Sequence, residues 1–346
     1  MLKAHVLTHG TLRCFPPGLT DPGGQEVNAE VSAVVFDGQR LILASDKPVP
    51  GAHRSSVFAV DVTAHGIDDQ TLTYYTHELL LRTRKYEDFA LTAQGDHVLA
   101  TTGFDRIDLE SHDLNAYNHL LIWPLGEPDR VAAVDPDPRD GVLGSLELRD
   151  KLSEAIGTPY FKIEGLAAVP GRGDDDLLLF GVREMGQAHD DFDYVSLVVG
   201  AHYRVEDDNL QLTDKLRRFY QFDPDGDPQV DHRCGLSSLE YDPHHDRLYL
   251  LTSFETENGQ GDEQIGGYLW SVSLDGFYSQ TPPDLVAGED GAPMVFEHKA
   301  EGLAVLDDTR LFVAYDNDRH LGLGSIAPGE ARAPCEAPYT VLAIRD

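Results

Sequence analysis

Cysteine is scarce in this chain: Cys14, Cys234 and Cys335 are the three among 346 residues. So sparse and odd a set excludes a disulfide framework, and no Cys-x-x-Cys pair occurs. A bridge between Cys14 and Cys335 would require the two ends of the chain to meet. Positive charge is scarce too, with 27 Lys and Arg against 60 Asp and Glu and a formal net charge of −33. That excess disfavours nucleic acid and anionic membranes as partners. Long apolar runs are missing, and no stretch approaches the length of a membrane span. The segment Met1-Leu2-Lys3-Ala4-His5-Val6-Leu7 has neither a long apolar region nor a small-residue cleavage site, so a soluble, cytoplasmic protein is expected. A removed leader would leave no trace in the sequence. There is no Gly-x-Ser-x-Gly elbow of the α/β-hydrolase kind. Gly171-Arg172-Gly173 lacks the strand-to-helix setting of a phosphate loop. Asp223-Pro224-Asp225-Gly226-Asp227 lacks the length and distal Glu of an EF-hand loop.

What the chain does have is a repeat. Lys299-Ala300-Glu301-Gly302-Leu303-Ala304-Val305 puts an acid at the mouth of an apolar β-type run. Similar stretches occur at Glu30-Val31-Ser32-Ala33-Val34-Val35-Phe36, Tyr86-Glu87-Asp88-Phe89-Ala90-Leu91, Ile163-Glu164-Gly165-Leu166-Ala167-Ala168-Val169 and Gly235-Leu236-Ser237-Ser238-Leu239-Glu240-Tyr241. Each leads through a polar turn into a second apolar run, as at Asp37-Gly38-Gln39 before Arg40 to Ser45, which is the pattern of a β-hairpin. Further strands are expected over residues 56–62, 71–76, 120–123, 130–134, 194–204, 210–222, 268–274 and 339–344.

The equivalent positions Ser32, Glu87, Glu164, Ser237 and Glu301 are separated by 55, 77, 73 and 64 residues. Units of ~67 residues with about four strands each are the arithmetic of a propeller blade. The expectation is an all-β, five-bladed propeller filling residues 1–346 as one domain, with blades starting near 31, 86, 163, 236 and 300. Val6 and its neighbours would complete the blade that holds residues 339–344, closing the ring. An insertion at about 135–160 carries the best helical stretch, Ser145 to Ile156, whose Leu146, Leu148, Leu152 and Ile156 fit one face.

In a propeller the first strand of each blade lines the central channel, so the five marked residues should meet near one mouth. Three carboxylates and two hydroxyls around one axis need positive charge between them. All are hard oxygen ligands of the kind Ca²⁺ takes. One central Ca²⁺ held by Ser32, Glu87, Glu164, Ser237 and Glu301 is therefore expected, against the simpler reading of acids facing a wet channel. Which of Ser237 and Ser238 faces the channel stays open. A second set ends each blade's second strand: Asp46-Lys47, Asp105-Arg106, Arg183-Glu184, Glu255 and Asp316-Asn317-Asp318-Arg319. Lys47, Arg106, Arg183 and Arg319 would suit a small anionic substrate such as a phosphate or carboxylate, unless each merely pairs with its neighbouring acid.

These residues resemble the five-bladed calcium-activated nucleotidases of the apyrase type. The likeness is carried by Glu30-Val31-Ser32, Tyr86-Glu87, Ile163-Glu164, Gly235-Leu236-Ser237-Ser238 and Ala300-Glu301-Gly302, with their order Ser, Glu, Glu, Ser, Glu. The Glu-Gly-Leu-Ala repeat is also similar to phytase-like and gluconolactonase-like propellers. The resemblance implies a Ca²⁺-dependent hydrolase of phosphate esters or anhydrides. Lys47, Arg106 and Arg183 would orient the phosphate, and Glu184 or Asp316 would activate water. Its departures are Tyr86 and Ile163, where that family carries Trp. Two other readings remain on the same scaffold: a lactonase or esterase, and a non-catalytic binding propeller with a structural ion.

Overall fold

A computed structural model describes residues 2–108, 111, 113–139, 142–257 and 263–345. Five antiparallel sheets follow one another along the chain, each running from an inner strand outward. Blade 1 is Val31–Phe36, Arg40–Ser45, Val57–Thr63 and Gly66–Tyr74, and blade 2 is Tyr86–Leu91, His97–Thr102, Leu120–Pro124 and Ala132–Ala133. Blade 3 begins with Tyr160–Val169, Asp176–Ala188 and Asp191–Glu206, and blade 4 with Gly235–Asp242, Arg247–Glu257 and Glu263–Ser273. Blade 5 is Ala300–Val305, Arg310–Tyr315 and Glu336–Arg345, and its outermost strand is Lys3–Arg13, antiparallel to Glu336–Arg345. The two ends of the chain thus meet in one sheet. Cys14 donates its N–H to the Cys335 carbonyl at 2.9 Å, and both thiols remain free.

Each sheet is apolar on both faces and cannot be buried alone. The core accordingly falls into layers between neighbouring blades. Ala33, Val35 and Val57 meet Tyr86, Phe89 and Trp123 between blades 1 and 2. Leu236, Leu248 and Trp270 meet Leu177 and Leu179 between blades 3 and 4. The expected helix runs over Leu146–Ile156 and stops at Gly157, whose φ of +84° is left-handed. Its buried Leu148, Leu152 and Ile156 extend the layer between blades 2 and 3.

One outer strand differs from expectation. Residues 210–222 do not form one strand but two, Asn209–Leu212 and Arg217–Phe222, both paired to Asp191–Glu206. Between them the Asp214 side chain takes over the ladder, accepting from the His202 N–H at 2.7 Å. Blade 4 likewise ends in two short pieces, Asp284–Leu285 and Val295–Phe296.

All five inner strands share a distortion. The register slips between Val31 and Ala33, Tyr86 and Asp88, Ile163 and Gly165, Leu236 and Ser238, and Ala300 and Gly302. The residue passed over is in turn Ser32, Glu87, Glu164, Ser237 and Glu301. A β-bulge of this kind leaves one residue outside the ladder and re-aims its side chain. The glycines after two of the glutamates allow close approach: a Cβ on Gly165 would lie 2.9 Å from Leu239, and one on Gly302 2.9 Å from Val34.

An inner strand has one edge with no strand partner, and here that edge is buried. Asp88 answers for two blades at once. Its Oδ2 accepts from the N–H of Leu166 at 2.9 Å, the N–H of Leu239 at 3.2 Å and the Ser238 hydroxyl at 3.2 Å. Its Oδ1 accepts from the Phe89 N–H at 2.9 Å. Glu240 does the same between blades 4 and 5, accepting from the Val305 N–H at 3.1 Å. Removing the Asp88 carboxyl strands three buried backbone N–H donors and the Ser238 hydroxyl, each backbone donor worth ~1 kcal/mol or more. Asp88→Ala should therefore lower stability in urea unfolding by at least ~3 kcal/mol. Asp88→Asn, which keeps an acceptor oxygen, should lose less than half as much.

Candidate functional site

The bulged residues gather at the mouth opposite the turns joining first to second strands. They do not face a bare channel. Lys85 Nζ lies 3.3 Å from Glu87 Oε1, and Lys162 Nζ lies 3.6 Å from the same oxygen while also bonding Glu164. Arg183 Nη1 lies 3.2 Å from Glu164 Oε2 and donates to the Ser253 hydroxyl at 2.5 Å, its guanidinium stacked on Tyr194 at 5.0 Å. Lys299 Nζ lies 3.0 Å from Glu301 Oε1 and 3.6 Å from Glu255. Three ring glutamates are thus met by four cations of the same chain. Burial opposes ionisation of Glu164, but Arg183 and Lys162 outweigh it and hold its pKa down at about 2. For Glu87 burial prevails over Lys162 and Lys85, lifting it to about 7.

The lysines carry a signal that the motif pattern had not included. Lys85, Lys162 and Lys299 each stand two residues before a ring glutamate. The two serine positions have Glu30 and Gly235 in that place. Ser237 and Ser238 both turn inward, because the bulge breaks the alternation. Ser237 donates to the Ala300 carbonyl at 2.8 Å, while Ser238 reaches Asp88.

The side of the mouth between blades 5 and 1 has the opposite character. Carboxylate oxygens of Glu30, Asp316 and Asp318 all lie within 4.8 Å of one another. The Ser32 hydroxyl is 3.5 Å from Asp316. Lys47 pairs with Glu30 at 2.6 Å and with Asp46 at 3.5 Å. Against these acids it is the cation in salt-bridge contact among the described residues. Burial, then Glu301 and Asp46, push the Asp316 pKa well above the carboxylate range. Asp46 rises to about 8 through burial, against Lys47 and with Glu30. Arg319, expected at the rim, instead donates to the Gln25 side chain at 2.9 Å and is exposed.

Between blades 2 and 3 the mouth opens into a cavity of about 570 Å³. Lys85, Arg106, Arg149 and Lys162 line it, with Asp105 and Glu184 as its acids. Lys85 pairs with Asp105 at 3.1 Å, and Arg149 comes from the inserted helix, over the Phe161 ring at 5.1 Å. Arg106, half-exposed, lies over the Tyr117 ring at 4.9 Å. The Tyr160 hydroxyl donates to Glu184 Oε2 at 2.6 Å. Burial and the adjacent Glu184 charge raise the Tyr160 pKa, which keeps that proton in place. Of the expected site residues, Arg106 and Glu184 share this cavity. Arg183 lies buried in the channel wall, and Lys47 and Asp316 sit on the acidic side.

The lysine–glutamate pairs are testable as a unit. Lys162→Met would leave Glu87 and Glu164 buried without their shared ammonium, a change of a type that costs ~3 kcal/mol or more. Stability of the variant should be lowest near neutral pH. It should partly recover toward pH 5, because the two glutamates, left with only Lys85 and Arg183, then bind protons in the folded state that the unfolded chain does not. Urea titrations at the two pH values measure this.

No family model matches the chain, and no curated protein matches it. Solved structures do align with nearly all of it. The catalytic domain of a GH62 alpha-L-arabinofuranosidase from Coprinopsis cinerea covers 98% of this chain and 97% of its own, at 9% identity and a TM-score of 0.45. PhoX from Pseudomonas fluorescens, in complex with the transition-state analogue vanadate, covers 98% of this chain and 75% of its own, at 12% identity and a TM-score of 0.43. A gluconolactonase from Xanthomonas campestris covers 98% of each chain at 12% identity and a TM-score of 0.37. Likeness at this level concerns chain arrangement and not chemistry. Of the resemblance to calcium-activated nucleotidases, the five-bladed fold is what the structure bears out. No helix among the described residues is long and apolar enough to cross a membrane.

Proposed function

We propose that the protein is a hydrolase of small phosphate-bearing substrates, esters or anhydrides, bound at the mouth between blades 2 and 3. The observation that carries this reading is the convergence of Lys85, Arg106, Arg149 and Lys162 on one cavity of about 570 Å³ in a chain of net charge −33. Four cations in so acidic a protein select an anion, and Arg106 and Arg149 supply the planar donors that suit phosphate oxygens. Glu184, which lines the cavity and accepts from the Tyr160 hydroxyl, would take a proton from an attacking water.

A divalent cation fits the two sides of the mouth unequally. Glu87 and Glu164 are compensated by lysine and arginine, and Ser237 is occupied by a backbone carbonyl. Glu30, Asp316 and Asp318, with Ser32 beside them, are an all-oxygen set whose mutual repulsion a cation would relieve, whereas Glu301, like Glu87 and Glu164, is already met by a lysine. An ion of the Ca²⁺ class would suit that set, which retains Ser32 from the five bulged positions. Bound there, its chemistry would be polarisation of a phosphoryl oxygen.

Phosphate release from nucleoside triphosphates and phytate should appear with Ca²⁺ and vanish with chelator. Glu184→Gln should lower kcat about a hundredfold, and Arg106→Ala should chiefly raise KM. Asp316→Asn should abolish Ca²⁺ binding in calorimetry while Glu164→Gln leaves it. The reverse result would move the ion to the ring axis. Proton release from lactones without phosphate release would make the protein a lactonase. A melting temperature raised by Ca²⁺ with no turnover of any substrate would make it a binding propeller.

A further inference from the structure

The mouth at the other end of the channel differs from the basic one in every respect. It is a cavity of about 490 Å³ enclosed by the turns between first and second strands, with blades 1, 2, 4 and 5 each contributing turn residues and Ala167 and Ala168 contributed by blade 3. Its wall is largely apolar, including Phe36, Leu91, Tyr241 and Leu306, and no lysine or arginine among the described residues lines it. Its acids are Asp37, Asp307 and Glu240. Two of them are engaged: Asp37 pairs with Arg40 at 3.2 Å, and Asp307 with Arg310 at 2.7 Å. Glu240 is not. Only 8% exposed, it reaches the cavity from the channel wall, and its Oε1 accepts from the Val305 N–H. No cation pairs with its carboxyl group among the described residues.

We propose that this mouth is a second binding site, for a small organic ammonium ion with an apolar body, whose charged head docks on Glu240. A pocket of this volume holds a small ligand, its wall takes alkyl or aryl carbon, and the one acid without a cationic partner stands at its inner end. The site is independent of the hydrolase reading, because no residue is shared between the two cavities.

Its pH dependence has a defined sign. Burial, with Asp242 adding to it and the Val305 N–H opposing, lifts the Glu240 pKa to about 8. The other groups facing it are Asp88 farther up the channel and Asp37, Asp307 and His244 around the cavity. Below pH 8 the free protein therefore holds Glu240 as the neutral acid. Binding is then a balanced exchange, in which the ammonium ion enters, the carboxylate forms and one proton leaves to solvent.

The experiment is titration calorimetry with cyclohexylammonium and benzylammonium, and with cyclohexanol as the uncharged control, from pH 6 to 8.5. Affinity for the ammonium ions should rise up to about tenfold per pH unit and level off above pH 8. Buffers of different ionisation enthalpy should show release of about one proton at pH 6.5. Glu240→Gln should lose the ammonium ions at every pH. Leu306→Trp, which fills the cavity without touching the carboxyl, should lose them too, with both variants' circular dichroism unchanged. Binding that is equal for the alcohol, that survives Leu306→Trp, or that shows no proton release would overturn the proposal, as would no binding of either ion at pH 8.5.

Discussion

The structure depends on satisfying five inner strand edges without water. A propeller leaves its outer edges at the periphery, and the Lys3–Arg13 strand completes the last sheet. The inner edges point at the axis, where no strand can follow and desolvated N–H groups are costly. Asp88 meets this constraint for blades 3 and 4 from blade 2, and Glu240 meets it for blade 5 from blade 4. Both carboxyls are buried, and for both burial raises the pKa.

The bulges follow from the same geometry. Passing over one residue in each inner strand lets two successive side chains point toward the axis, one upward and one inward. Glu87 and Asp88 divide those roles, as do Ser237 and Ser238. The upward residues reach a mouth where burial is incomplete, and charge can be kept by pairing. Lysines two positions earlier, and Arg183 from the neighbouring strand, supply the partners. Charge is thereby sorted along the channel and around it: basic between blades 2 and 3, acidic between blades 5 and 1, and at the far mouth without lysine or arginine among the described residues.

How much of this was legible follows from what a strand pattern encodes. Blade count, hairpin turns, ring closure and the face of the inserted helix rest on local periodicity and spacing, and they read directly from the chain. Every bulge falls on a residue marked by its repeat position. The bulge itself was not visible, because one residue outside the ladder leaves the apolar pattern nearly unchanged. Lys85, Lys162 and Lys299 are legible as Lys-x-Glu, a spacing that the acid-centred repeat does not contain at its two serine positions. Arg149 enters the site through the inserted helix, outside the repeat, and Tyr160 through the start of the blade 3 inner strand, three residues ahead of the repeated motif.

By itself the sequence determined five blades, their order and which residues would line one mouth, because alternation and repeat length are properties of neighbours along the chain. Tertiary structure decided which acids are paired, which are left facing one another and which end of the channel is basic. Those outcomes depend on distances between blades. A carboxylate such as Glu164 becomes a salt-bridge partner, and one such as Asp316 a candidate cation ligand, only through what the adjoining blade brings within about 4 Å.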